Sequence, residues 1–543
     1  MKLRLLALIA AALLAGIPSG PALGSPGDAE ATVSRAREAA RRDANAEAAD
    51  LFREAISQAP SRRLEWLREL ADQMTYSGQA VEAVPCYQEV LADPSLPPEE
   101  RRRARLGLAL ALSWCGRPKE SLGEYDAMLA QDPADVEAML GRARVLSWLG
   151  RNTESREAYE EVLRREPGNA DALRGLGRLE SWRGRQRGAQ RLLSGFLERH
   201  PGDSEGTFLL AQSQDWMGRP DRAKQTLQGQ PVALTEGTQI PGLLEQIELR
   251  ERPDSRIGYR QSHQSDDLVI QTSFFEQDVR FNDGLTTIGA RLQFQRYHSQ
   301  HAGESDVTVK RPGLFARHRF NDSLEWTTGL YLDRIEPEDT GESHSDLTYD
   351  TYLTYWPGDL LRFDFGSSRT TFDNLKSLRQ NITATYANVS MDVTPDDSMR
   401  FSTRFNWGDY SDGNRRLWGQ VEGWRRVSFR PKLFLGLQVT AFNFSRFLDN
   451  GYFNPEDYIS GALAFRTTGQ AWERLSYDVT ASWGAESATP EGRKAIWSAG
   501  TRLAWQASDH FEIVAQYGYF SSAVASSSGF ARGTGDIFLR IIW

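Results

Sequence analysis

Residues 113–117 read SWCGR, and the pattern returns as SWLGR at 147–151, SWRGR at 181–185 and DWMGR at 215–219. The tryptophans of these segments follow one another at intervals of 34 residues. Each glycine stands two positions after its tryptophan, where it lets a helix end and the chain reverse. A fixed period of this length predicts an array of similar helix–turn–helix units over residues 28–228.

Each unit pairs an Ala- and Leu-rich helix with a second helix that carries an aromatic residue, such as Tyr125 or Tyr159. Neither helix buries its apolar face alone, so neighbouring units must stack into a curved solenoid with a concave groove. The period of 34 residues is the tetratricopeptide length. We interpret the repeated tryptophans as structural residues that pack at the repeat corner, in preference to ligand-stacking residues. They are Trp114, Trp148, Trp182 and Trp216.

The N-terminus has the form of an export signal. Basic residues precede an apolar run over residues 5–15, and small residues follow at 22–24. We therefore predict a signal peptide over residues 1–24. Export would place Cys86 and Cys115 in a compartment where disulfides form. The sequence leaves two possibilities: a bond between the two cysteines, or two small buried thiols without a bond.

After Arg256 the helical period gives way to alternation of apolar and polar residues. In residues 399–407 one face reads Met, Phe, Thr, Phe and Trp, and the other reads Arg, Ser, Arg and Asn. Alternation with aromatic and β-branched residues predicts amphipathic strands. Exposed aromatics on such strands would form the two girdles of a membrane barrel. The candidates are Trp326, Trp407, Trp483, Trp497 and Trp505.

Short turns alternate with longer polar loops along this half of the chain. The turns are Asn282-Asp283-Gly284, Asn321-Asp322, Pro357-Gly358, Pro395-Asp396-Asp397, Arg430-Pro431, Gly469-Gln470 and Ser508-Asp509. The longer loops cover residues 298–310, 336–345, 446–457 and 521–533. This alternation is typical of outer-membrane barrels and predicts about 16 strands over residues 256–543. No single loop is long enough to predict a plug.

These features predict a multidomain α + β protein, with an N-terminal α-solenoid, a linker over residues 229–255 and a C-terminal antiparallel transmembrane β-barrel. The charges nearly balance, with 64 Lys and Arg against 73 Asp and Glu. The sequence holds no basic stripe with interleaved aromatics, no phosphate loop and no metal-ligand cluster. We therefore expect no nucleic-acid binding, no cofactor and no metal.

Repeats with W-x-G-R corners joined to a C-terminal barrel resemble the exopolysaccharide export porins of the cellulose and poly-N-acetylglucosamine types. The barrel also resembles YaiO-type outer-membrane barrels. The resemblance implies a bacterial outer-membrane location with the repeats in the periplasm. It implies that the repeat groove docks a periplasmic protein partner, while the barrel, surrounded by lipid and lipopolysaccharide, passes a polysaccharide. This array is much shorter than that of the cellulose subunit, so the polymer is left open.

We predict a porin-like conduit, because about 16 strands enclose an aqueous lumen rather than a packed interior. Side chains opposite the lipid-facing stripe would line this lumen. Trp418 and Trp424, beside Glu422, would form aromatic surfaces along which sugar rings can slide. The predicted pore-lining residues are Arg291, Arg362, Asp364, Arg400, Arg404, Trp418, Glu422, Trp424, Arg426, Asp478, Arg502 and Arg540. In the alternative interpretation, these groups only satisfy one another in a wet lumen.

Two other functions stay open. The barrel could be a closed anchor for an outer-membrane scaffold or surface receptor, which an occluded lumen would favour. A barrel enzyme acting on lipid or lipopolysaccharide fits less well, because no histidine stands at a spacing that specifies a Ser-His-acid site. We therefore expect no enzyme and no catalytic residues. The sequence leaves open the polymer, the periplasmic partner, the resting state of the pore and the oligomeric state.

Overall fold

The computed structural model of the protein describes residues 26–229, 238–299, 305–429, 431–525 and 529–543. The predicted signal peptide and part of the predicted linker lie outside the described residues. The chain forms two compact units that divide between Gly175 and Leu176. Helical repeats followed by a closed 16-strand antiparallel barrel confirm the predicted fold class. The predicted domain boundaries stay a prediction.

The first unit consists of successive helices that each pack on the next. Local chemistry sets their ends: the Asp135 side chain accepts a hydrogen bond from the Ala138 amide at 3.1 Å, and Gly150 with φ +74° lets the chain reverse. The helices are α1 Pro26–Arg41, α2 Asn45–Gln58, α3 Arg63–Tyr76, α4 Ala80–Leu91, α5 Pro98–Trp114, α6 Pro118–Gln131, α7 Val136–Trp148, α8 Asn152–Arg165 and the start of α9, Ala170–Trp182.

Helices of neighbouring repeats are joined by an aromatic ring that packs on a glycine. Tyr125 on α6 covers Gly141 on α7, and Tyr159 on α8 covers Gly175 on α9 in the same way. A Cβ atom at Gly141 would lie 2.2 Å from the Tyr125 ring. The glycine therefore allows the closest approach of two helices, and the 34-residue period repeats that approach.

Three of the four corner tryptophans are about half exposed, and the fourth, Trp148, is partly buried against a repeat core. Trp114, Trp182 and Trp216 are exposed by 45%, 47% and 49%. Trp114 meets Tyr76 edge-on, with ring centroids 5.9 Å apart. Packing thus covers about half of these rings, and the structural role of the four tryptophans stays a prediction.

The two cysteines are free thiols in the structure. The Sγ of Cys86 lies 3.6 Å from the Glu82 carbonyl oxygen, and that of Cys115 lies 3.4 Å from the Leu112 carbonyl oxygen. Because each thiol faces the backbone of its own helix, the disulfide left open by the sequence is not formed here.

The second unit contains the last helices and the barrel. Its helices are the rest of α9, α10 Gln186–Leu197, α11 Ser204–Trp216, α12 Pro220–Gln228 and α13 Ile240–Glu251. The first eight strands are β1 Asp254–Gln264, β2 Leu268–Phe281, β3 Thr286–Ser299, β4 Val307–Arg319, β5 Leu324–Pro337, β6 His344–Tyr355, β7 Leu361–Thr371 and β8 Thr383–Asp396. The others are β9 Met399–Tyr410, β10 Arg415–Ser428, β11 Lys432–Phe444, β12 Asp457–Trp472, β13 Leu475–Ala488, β14 Gly492–Ser508, β15 Phe511–Phe520 and β16 Arg532–Ile542.

Each strand pairs antiparallel with its chain neighbours, and β1 pairs with β16 from Asp254 opposite Ile542 to Gln264 opposite Arg532. The predicted turn at Gly469-Gln470 is wrong. Both residues still pair with β13, and the chain turns only after Trp472. The prediction failed because a glycine is typical of turns, whereas Gly469 lies inside a strand.

Large apolar side chains cover the outer face of the barrel. Exposed examples are Leu292, Leu314, Leu347, Phe405, Leu417 and Leu463. The five girdle candidates, Trp326, Trp407, Trp483, Trp497 and Trp505, are all exposed as well, by 39% to 68%. An apolar outer face of this kind suits contact with lipid.

Of the helices within the described ranges, none is both long and apolar enough to cross a bilayer.

The last repeat helices are attached to the barrel turns at one end, which we call the repeat end. Asp359, in the β6–β7 turn, accepts hydrogen bonds from the Arg187 and Gly188 amides at 3.1 and 3.3 Å. These amides begin α10, whose own N-cap residue offers no side-chain cap. A barrel carboxylate therefore caps a repeat helix, which satisfies donors that a helix N-terminus leaves free.

Ion pairs extend this attachment along the rim. Asp322, in the β4–β5 turn, binds Arg219 at 2.5 Å and Arg222 at 2.8 Å. The Lys224 ammonium donates to Asp283 at 2.8 Å and to Glu251 at 2.9 Å. These two bonds raise the pKa of Lys224 to about 12. Their stabilising effect is therefore complete below the ordinary lysine pKa and is lost only in strong alkali.

We predict that Gly141→Ala destabilises the repeats. The added methyl group must displace the buried Tyr125 ring, and overpacking costs about 1–3 kcal/mol, against a gain of about 1 kcal/mol in helix propensity. The matched control is Gly123→Ala on α6, where a Cβ meets nothing within 4 Å. Urea unfolding followed by helical circular dichroism should show a lower midpoint for Gly141→Ala and an unchanged or higher one for Gly123→Ala. Equal midpoints would contradict the packing described.

A second prediction concerns the cap from the barrel. Asp359→Ala should cost about 0.5–2 kcal/mol of local stability, because two helix amides lose their acceptor. Hydrogen exchange at Arg187 and Gly188 should therefore become faster. Asp509→Ala, at an exposed carboxylate in the β14–β15 turn, is the control. If both variants exchange these amides at the wild-type rate, the cap does not stabilise α10.

Candidate functional site

The inner wall of the barrel carries the polar half of each alternating strand. Eight of the twelve predicted pore-lining residues stand next to an exposed apolar side chain, and this alternation favours an inward position for them. For example, Arg400 and Arg404 alternate with the exposed Phe401 and Phe405. Contact of these residues with a polymer stays a prediction.

Most charges on this wall are neutralised by a neighbour. Arg404 lies 3.2 Å from Glu422, which also accepts a hydrogen bond from the Trp424 indole at 3.3 Å. The other predicted residues pair as Arg291–Glu276 at 2.7 Å, Arg362–Asp364 at 2.9 Å, Arg400–Asp392 at 3.1 Å, Arg426–Asp397 at 2.6 Å, Asp478–Arg466 at 2.5 Å and Arg540–Asp254 at 2.7 Å. Among the predicted arginines, Arg502 alone has no carboxylate partner in the described part of the chain.

A short segment between β7 and β8 crosses the lumen at the end away from the repeats. We call residues 372–382 the strap; its centre is the helix α14, Leu375–Arg379. Asp373 pairs with Arg532, the first residue of β16. Strand β16 lies seven strands from β7 in one direction around the barrel and nine in the other. A contact between nearly opposite strands requires the strap to span the interior.

The strap is fixed to the inner wall by apolar contacts. Leu375 and Leu378 are buried against residues of β2 to β5. Those residues are Leu268, Ile270, Tyr297, Val307, Val309 and Ile335. Arg379 adds an ion pair to Asp339 at 3.2 Å. These apolar side chains lie on the inner face of the barrel because they pack against the strap.

The loop between β11 and β12 also folds inward and binds the strap. Lys376 pairs with Asp449 at 2.7 Å, and the Ser377 hydroxyl donates to the Asn450 carbonyl at 2.7 Å. Any side chain at Gly451 would collide with Asn374 and Lys376 of the strap. No single loop is long, as we expected, but two short loops meet inside the barrel and narrow it at the loop end.

A cavity of about 600 Å³ lies beneath the strap, lined by residues of β7 to β11 and, across the lumen, by residues of β3 and β4. Its wall is aromatic, with the rings of Tyr410 and Tyr452 stacked at 5.1 Å and those of Phe372 and Tyr452 at 5.2 Å. Trp418 lines this cavity and Trp424 does not. The two tryptophans are six residues apart on β10, or about 20 Å. The structure thus does not bring them into one platform.

Sequence reasoning missed most of this cavity. Arg416 lies on the same inner face of β10 as Trp418, so strand alternation could have found it. Tyr452 could not be found in that way, because it lies on a loop and reaches the cavity only through tertiary packing. No group of three or more His, Cys, Asp and Glu side chains that could hold a metal occurs among the described residues.

Two family models match the chain. A tetratricopeptide repeat model covers residues 116–179, and a model described as the PgaA membrane beta barrel domain covers residues 363–522. These matches confirm the resemblance found in the sequence. No curated protein matches the chain.

Three solved structures show limited likeness. One is described as a bacterial polysaccharide outer membrane secretin; it is 14% identical, with 54% of this chain and 99% of that chain covered and a TM-score of 0.42. A tetratricopeptide repeat protein from Parabacteroides merdae is 16% identical, with 41% and 91% covered and a TM-score of 0.31. PilW, a type IV pilus biogenesis factor, is 18% identical, with 40% and 98% covered and a TM-score of 0.32.

The matched models explain the two architectures described above. Tetratricopeptide repeats are a helical interaction module, and the membrane barrel domain accounts for the apolar outer face. The chain is thus a bacterial outer-membrane β-barrel protein with periplasmic tetratricopeptide repeats, and residues 363–522 of its barrel are similar to the PgaA membrane beta barrel domain.

Proposed function

We propose that the protein is a conduit for export of an exopolysaccharide across the outer membrane. The observation that carries this proposal is the closed 16-strand barrel with a polar, ion-paired inner wall. Paired charges make such a wall hydrophilic without a large net field, which suits the passage of a hydroxyl-rich chain. The polymer would enter at the repeat end, where α10 is fixed to the rim through Asp359.

The repeats would recruit a periplasmic protein partner. Their half-exposed tryptophans support this role, because exposed aromatic rings are frequent anchors of protein interfaces. The apolar outer face would meet lipid, with lipopolysaccharide around the loop end.

Transport is a better proposal than catalysis for the groups inside the barrel. Three histidines of the barrel have partners other than a serine nucleophile: His298 binds Asp306, His318 binds the Thr286 hydroxyl and His510 binds the Ile542 carbonyl. A nucleophile activated by a base would need a different arrangement.

The strap supports a second candidate function, an outer-membrane scaffold or surface receptor with a closed barrel as its anchor. Its contacts with Arg532, Asp449 and Asp339 obstruct the loop end. A conduit with this obstruction must be closed at rest and must release the strap during export. A scaffold would keep the strap in place.

Single-channel conductance in planar bilayers separates the two functions. We predict low conductance for the full-length protein and a severalfold increase in Arg532→Gln/Lys376→Gln, which removes two ion pairs of the strap. Polysaccharide fragments should then block the opened channel. The control is Arg493→Gln, at an exposed residue near the start of β14.

A further variant keeps this test decisive. Replacement of the whole strap by a short Gly-Ser linker removes the obstruction even if the loop between β11 and β12 holds the double variant closed. An ion current that appears only without the strap supports a gated conduit. No current in any variant would sink the conduit proposal and favour the scaffold.

A further inference from the structure

Three cationic side chains stand on the outer face of the barrel near the loop end, which is the end opposite the repeats. Arg296 on β3, Lys310 on β4 and Arg334 on β5 each have between 50% and 58% of the side chain exposed. The residue next to each of them is buried inside the barrel against the strap. These neighbours are Tyr297, Val309 and Ile335. Because successive side chains of a strand point to opposite faces, the three cations point outward.

Strand pairing places two of these cations side by side. Lys310 on β4 is paired directly with Arg334 on β5. Their partners on the other side are uncharged, Phe294 on β3 and Ser345 on β6. We call Lys310 and Arg334 the cation row. Paired residues of antiparallel strands share a face at about 5 Å, and like charges in this position are destabilising. The row therefore favours an anion placed between its two members.

The protein itself supplies one carboxylate for the two cations. Glu336 lies 2.7 Å from Lys310 and 2.8 Å from Arg334, and it is two residues closer to the loops than Arg334. The carboxylates that contact Arg296 lie beyond the strand ends. They are Asp306, at 2.8 Å, and Glu338, at 3.6 Å. The charges are thus layered, with the cation row nearest the apolar part of the outer face and the carboxylates beyond it.

The cation row lies at the height where the lipid-facing band ends. Arg334 is eight residues from Trp326, the girdle candidate near the start of β5. At about 3.3 Å per residue and a tilt of about 40°, eight residues rise about 20 Å, against about 25 Å for the whole apolar band. Exposed leucines cover the outer face of β3 to β5 below the row: Leu292, Leu314, Leu330 and Leu332. The row is therefore placed at the boundary between acyl chains and headgroups.

We propose that the cation row binds a phosphate group of lipid A, the phosphorylated and acylated anchor of lipopolysaccharide. Phosphate oxygens accept charge-assisted hydrogen bonds from a guanidinium and an ammonium, and their negative charge relieves the repulsion between the paired cations. The acyl chains pack on the leucines below, and Arg296 adds a third positive charge on the side of the loops. The inference rests on the outer-membrane location of the barrel and not on export.

The test is binding of lipid A to the full-length protein in detergent, measured by native mass spectrometry. The probes are lipid A with two phosphate groups and the same lipid after enzymatic removal of both. The phosphorylated lipid should bind at least about tenfold more tightly, because charge-assisted hydrogen bonds contribute that much. This preference should fall as the ionic strength rises, since exposed charges are screened by salt. Inorganic phosphate in large excess should not displace the lipid, because it cannot use the leucines.

Substitutions assign the preference to the cation row. Lys310→Gln/Arg334→Gln should bind the two lipids alike, while Lys310→Arg/Arg334→Lys, which keeps both charges, should retain most of the preference. Glu336→Gln removes the carboxylate that competes with phosphate and should strengthen binding of the phosphorylated lipid.

The matched control is Arg415→Gln/Arg493→Gln. It removes two exposed cations at the loop ends of β10 and β14 and should leave the preference unchanged. Heat-modifiable electrophoretic mobility shows whether each barrel is folded.

The outcomes separate this inference from the proposed function. Equal binding of the two lipids, or a preference that survives in Lys310→Gln/Arg334→Gln, overturns the site even if the barrel conducts. Displacement of the lipid by inorganic phosphate overturns the assignment to a lipid, and weaker binding in Glu336→Gln contradicts direct contact with the cations. A preference that depends on the cation row in a barrel that never conducts supports the site and refutes export.

Discussion

A strand that crosses a bilayer cannot leave its backbone amide and carbonyl groups unpaired, because lipid offers no hydrogen bonds. The pairing of β1 with β16 satisfies this constraint, since it removes both sheet edges. The alternation of side chains then follows: Leu417 and Val421 of β10 are exposed outside, while Glu422 and Trp424 lie inside. Every feature of the lumen depends on this closure.

Closure creates a second problem, because an interior lined with charges must balance them. The wall does so with close pairs such as Arg404–Glu422 and Arg291–Glu276. Where the interior is apolar instead, the strap covers it, and Leu378 is buried among side chains of β2 to β5.

The errors of sequence reasoning have physical causes. Gly469 resembled a turn because glycine weakens a strand, but its pairing with β13 keeps the strand intact. The corner tryptophans were predicted from a helical period, which gives the spacing of a residue and not its exposure, and Trp216 is about half exposed. The strap was missed because loop length was considered one loop at a time.

The sequence by itself determined the repeat period, the strand number and the face on which residues such as Arg400 and Asp478 lie, because these follow from local spacing. The tertiary structure alone decided the free thiols, the cap on α10, the strap and the cavity. Each of these last three depends on residues far apart in the chain, such as Arg187 with Asp359 and Asp373 with Arg532. Periodicity carries no information about which distant residues meet, since only closure of the barrel brings them together.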